Sequence, residues 1–118
     1  MADTPHSPHA GAATIVVTLP AEIDMTNADS VGADLDAAFA PGVGVVIADM
    51  SGTRFCDTSG IRALVVAHQR AKAGNTGFHV VAGPGEIRHV LEILGLDTVL
   101  DIYHRLDLAL AAGQRTPA

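Results

Sequence analysis

Apolar residues along the chain switch between two spacings, and the switches predict its elements. ATIVVTL (13–19) is rich in β-branched residues and halts at Pro20, which predicts a strand. Ala28, Val31, Leu35 and Ala38 then recur at helical spacing until Pro41-Gly42 stops the run. Thr26 stands where that helix needs an N-cap, with Asp29 three residues on in a capping-box relation. VGVVIADM (43–50) is almost unbroken apolar sequence, as a parallel strand covered on both faces requires. Ile61, Leu64, Val65 and His68 open a second helical stripe, which closes near Lys72 and stops at Gly74-Asn75. FHVVA (78–82) predicts another strand. Pro84 takes a first-turn position, and Ile87, Val90, Leu91 and Leu94 form the face of a third helix ending at Gly95. TVLDIY (98–103) predicts a short strand, and Leu106, Ala109 and Leu110 a last helix.

This β-α-β-α-β-α-β-α order, with short connections, predicts an α/β fold built on a mostly parallel sheet. A chain of 118 residues makes one domain. We expect a flexible N-terminal arm at 1–12, where two prolines and two histidines show no periodicity. The folded domain is then 13–112, with a C-terminal tail at 113–118.

Composition narrows the function. The net charge is −6 and aromatics are 3%, so nucleic acid, which wants basic patches and stacking rings, is a poor direct partner. No apolar run approaches the roughly 18 residues that span a bilayer, so membrane insertion is not expected. MADTPHSPHAG at the start lacks the basic region and apolar core of a signal peptide, and a single cysteine fits a reducing cytoplasm.

Candidate chemistry centres on CDTSG (56–60), at the mouth of the second helix. Ser59 does not sit in a hydrolase elbow, because that turn needs glycine two residues before and after, where this chain has Asp57 and Ile61. The glycines at 42, 44 and 52 match neither a P-loop nor a dinucleotide fingerprint. The histidines at 6, 9, 68, 79, 89 and 104 show no metal-ligand spacing, so no metal or cofactor is expected. Cys56 reads as a small buried residue at a strand end rather than a redox sensor. Capping explains one of Asp57, Thr58 and Ser59, but not three polar residues in a row followed by Gly60. A helix N-terminus offers unpaired N–H groups and partial positive charge, which would seat an added phosphate. Gly60 would leave the hydroxyl unshielded, letting a large partner approach.

These residues resemble a family. D-T-S-G after an apolar strand, E-I-D (22–24) after the preceding strand, and P-G-E-I-R-x-V-L-E-I-L-G-L (84–96) are together similar to a STAS domain, most closely the bacterial anti-sigma factor antagonists. The resemblance covers about residues 13–112. It implies a small sheet of four or five strands with about four helices largely on one side. It also implies that a hydroxyl in the turn is phosphorylated by a partner that is both serine kinase and anti-sigma factor. The unphosphorylated protein binds that partner and frees a sigma factor, and a phosphatase resets it. Carried across, the acceptor is Ser59, with Thr58 a weaker candidate. Asp24 and Asp57 border the site, with Thr58, Gly60 and Arg62 beside it. Two departures stand out: Pro20-Ala21 replaces the family's usual glycine before E-I-D, and 1–12 does not resemble the usual first strand.

The sequence thus points to a non-enzymatic, cytoplasmic binding switch, monomeric or weakly dimeric. The rival readings are a STAS subunit of another assembly, such as a lipid-transport or stress-signalling complex, and a small enzyme or nucleotide-binding protein.

Overall fold

The computed structural model describes residues 12–113, so the expected arm and tail lie almost wholly outside the described residues. Strands β1 (Ala13–Thr18), β3 (Val43–Asp49), β5 (Gly77–Val81) and β6 (Asp101–Tyr103) form one sheet in the order β1-β3-β5-β6. Every neighbouring pair in it is parallel. Helices α1 (Ala28–Ala38), α2 (Thr58–Ala73), α3 (Glu86–Ile93) and α4 (Leu106–Gly113) connect and follow these strands. The expected α/β alternation therefore holds.

The unbroken apolar run of β3 has a direct cause. Val46 and Ala48 point into the main core with Leu35 of α1, Leu64 of α2 and Leu91 of α3. Val45 and Ile47 point the other way, into a smaller cluster with Val81 and with Ala109 of α4. Three helices thus pack on one face and α4 alone on the other. A central strand must then be apolar along the length that both layers cover, here Val45–Ala48.

Local differences from the sequence expectation trace to turn chemistry. Thr26 does not cap α1. Asp24 builds that turn instead: its Oδ1 accepts from the Thr26 N–H at 2.9 Å and from the Thr26 hydroxyl. Its carbonyl accepts from the N–H groups of Asn27 and Ala28. The helix starts only at Ala28, and Asp29 is exposed in its first turn rather than closing a capping box. Pro84 lies in a turn before α3, not in its first helical turn. Gly95, at φ +74°, ends the helical path in a conformation that side chains rarely adopt, and Leu96–Thr98 form a 3-10 turn. The expected strand 98–103 is therefore shortened to Asp101–Tyr103. Leu94, expected on the buried face, falls past the helix end and is 55% exposed. The buried stripe of α2 runs through Ile61, Leu64, Ala67 and Ala71, leaving Val65 and His68 half-buried.

Two strands escaped the sequence pattern. β2 (Glu22–Ile23) and β4 (Phe55–Cys56) pair in parallel as a separate two-stranded sheet. Two residues are too few to show a period. Their pairing places the site.

Candidate functional site

The β2–β4 pair carries the chain ends of two loops to one corner. Glu22 pairs with Phe55 and Ile23 with Cys56, and the Asp57 N–H donates to the Ile23 carbonyl at 3.0 Å. Asp24 and Asp57 therefore leave the two strands side by side, each followed by a helix. The Pro20-Ala21 departure leaves this loop hydrogen-bonded. The Pro20 carbonyl accepts from the buried Thr53 hydroxyl at 2.9 Å. The Ala21 carbonyl accepts from the N–H groups of Arg54 and Phe55, at 2.7 and 3.2 Å. Backbone pairing fixes the loop without a glycine.

Asp57 is the N-cap of α2. Its Oδ1 accepts from the Ser59 N–H at 2.9 Å, from the Gly60 N–H at 3.2 Å, and from the Ser59 hydroxyl. The Ser59 hydroxyl, and then the backbone N–H groups, hold the Asp57 carboxyl below the usual carboxylate range despite some desolvation. Asp24 is lowered likewise, chiefly by the Thr26 hydroxyl and N–H, with the Asp57 charge opposing. Both are thus carboxylates at neutral pH, committed to holding turns rather than to acid–base work.

These bonds correct two expectations. The N–H groups of Ser59 and Gly60 are already taken by the Asp57 carboxylate, so they are not free to seat a phosphate. Gly60 does not open a path for a partner either: it is buried. A Cβ on it would lie 2.5 Å from Cys56 Sγ and 2.7 Å from Ile23 Cγ2. Gly60 lets α2 rest on the β2–β4 pair. Cys56 is buried as expected, and desolvation, with the Asp57 charge adding, pushes its thiol up to about 11. A thiol so raised stays protonated and unreactive near neutral pH.

The two hydroxyls differ. Thr58 is exposed at the first position of α2, whereas Ser59 is half-buried and its hydroxyl is already donated. Ser59 and Arg62 face an open groove of about 520 Å³ between α1 and α2. Met25, 81% exposed, and Phe55, 51% exposed, stand beside the turn and were missed from sequence. The one available signal was an apolar residue set between Asp24 and Thr26 in a polar loop. Among the described residues, no group of three or more His, Cys, Asp or Glu could hold a metal, and no helix is long and apolar enough to cross a membrane.

Comparison with solved structures places this geometry. An anti-sigma factor antagonist from Mycobacterium paratuberculosis is 30% identical, with 86% of each chain covered and a TM-score of 0.79. The Bacillus cell fate determinant SpoIIAA in its phosphorylated form is 20% identical over 84% of this chain and 89% of that one, with a TM-score of 0.61. A sulfate transporter family protein from Wolinella succinogenes is 18% identical over 86% and 84% of the two chains, with a TM-score of 0.75. The last two likenesses show the fold alone. No match is found among curated protein sequences. The family model for the STAS domain matches residues 2–109, and the chain belongs to the STAS domain family.

Proposed function

We propose that this STAS protein is an anti-sigma factor antagonist, a non-enzymatic module switched by phosphorylation of its D-T-S-G turn. Unphosphorylated, it sequesters an anti-sigma factor with serine kinase activity and so frees a sigma factor for transcription. Phosphorylated by that kinase, it lets go, and a phosphatase returns it to the binding form. It acts in the cytoplasm, through protein contacts rather than nucleic acid. The 30% identity to the mycobacterial antagonist supports this reading, and the Bacillus relative has a phosphorylated form.

The observation that carries it is an exposed hydroxyl at a helix start, flanked by two carboxylates and by exposed Met25 and Phe55. The turn needs no activating base of its own, because a kinase supplies base and nucleotide. The motif puts Ser59 ahead of Thr58 as acceptor. Exposure and hydrogen bonding favour the reverse, since phosphorylating Ser59 would first break its bond to Asp57. We take Thr58 as the principal acceptor and Ser59 as the second.

The test is mass spectrometry of the protein purified from its native host. Trypsin releases Phe55–Arg62 as one peptide containing both hydroxyls. It should carry one phosphate, largely lost in Thr58→Ala and largely kept in Ser59→Ala. The opposite pattern would return the role to Ser59. A peptide without phosphate under every growth condition would end the phosphorylation reading.

A further inference from the structure

We propose that the groove between α1 and α2, which Ser59 and Arg62 also line, is the interface of a weak twofold homodimer. The groove has one acidic and one basic wall: α1 contributes Asp29 and Asp36, and α2 contributes Arg62 and Arg70. Both helices return between parallel strands on the same sheet face, so they run in the same direction. Arg70 pairs with Asp36 at one end, and Asp29 and Arg62 share the other. The two acids lie seven residues apart and the two bases eight, roughly 10 and 12 Å along their helices.

A patch divided this way complements itself. Rotation by 180° about an axis running along the groove, parallel to both helices, lays the acidic wall of one copy on the basic wall of the other. Asp29 then meets the second copy's Arg62, and Asp36 meets its Arg70, as an isologous contact requires. Near the axis, Val66 is 54% exposed and Gly32 leaves the floor open for the other copy's valine. The face carries two acids and two bases on a chain of net charge −6, so copies can approach here without net local repulsion. Its size sets the strength. Two helices of these lengths present about 300–400 Å² per copy, under half of what stable complexes bury. The dimer is therefore weak.

Sedimentation equilibrium up to about 1 mM protein, in roughly 0.15 M salt where long-range repulsion is screened, tests this. The wild type should show a weight-average mass rising toward the dimer. The all-acidic variant Arg62→Glu/Arg70→Glu and the all-basic variant Asp29→Lys/Asp36→Lys should each dissociate at least about tenfold more readily. Their equimolar mixture should associate again, which also certifies that both are folded. Val66→Glu, at an exposed position, gives a second readout and should weaken association alone. A wild type that stays monomeric, variants that self-associate as well as wild type, or a mixture that does not associate would each overturn the proposal.

Discussion

A single absent Cβ sets how closely α2 meets the strand pair beneath the D-T-S-G turn. Gly60→Ala would gain about 1 kcal/mol in helix propensity. It would also force a methyl against Cys56 and Ile23, and overpacking of that kind costs about 1–3 kcal/mol. Both contacts are under 3 Å and both neighbours are buried, so the clash wins. We expect a melting temperature lower by about 4–8 °C, corresponding to about 1 kcal/mol net, and partial recovery with Cys56→Ala. A Gly60→Ala protein that melts at or above wild type would contradict this packing. The same turn shows what a sequence can reveal at this scale. Asp57 was readable as a cap because capping depends on neighbours within three residues. The inward role of Gly60 was not, because it depends on Ile23, which no local pattern connects to it. The difference in exposure between Thr58 and Ser59 was hidden for a similar reason, since it is set by how α2 lies on the sheet.

Elements were legible where they were long and periodic. The runs that became β1, β3, α1 and α2 carry enough residues for their spacing to select strand or helix. β2 and β4 carry two residues each, and only their mutual pairing makes them strands. The placement of α4 alone on the second face was also unreadable, although the apolar continuity of β3 demanded some cover there. That cover has a titratable consequence. His79 on β5 points to the α4 face, edge-on to the Tyr103 ring at 5.1 Å, with Nδ1 buried and lacking a hydrogen bond. Burial holds its pKa below 6.5, while the Asp101 carboxylate 3.6 Å away opposes the shift. The unfolded chain therefore takes up this proton near pH 6.5 and the folded one only at lower pH. Stability present above pH 6.5 is lost as pH falls through it. The melting temperature should drop between pH 7.5 and 5.5, and drop less in His79→Leu. Equal slopes in the two proteins would show that His79 is not the group responsible.

At the scale of the molecule, the acidic corner and the net charge of −6 decide how a phosphate would act. Phosphorylation adds about −1.5 to −2 charges beside Asp24 and Asp57, with the nearest cap N–H groups already occupied. On the exposed Thr58 such a group should cost the fold little, because exposed charges are screened. An interface loses much more. Against an acidic partner group about 5 Å away, at an effective dielectric near 20, each charge pair costs roughly 3 kcal/mol. A penalty of about 3–6 kcal/mol weakens binding by roughly two to four powers of ten, enough to release a partner. The measurement that tests this most directly is calorimetry of the proposed partner, an anti-sigma factor with serine kinase activity, against the free and phosphorylated forms, with melting curves of both beside it. We predict tight binding of the free form, a loss of two to four powers of ten on phosphorylation, and nearly superimposable melts. Equal affinity for the two forms, or a phosphorylated protein that has lost its fold, would contradict the account.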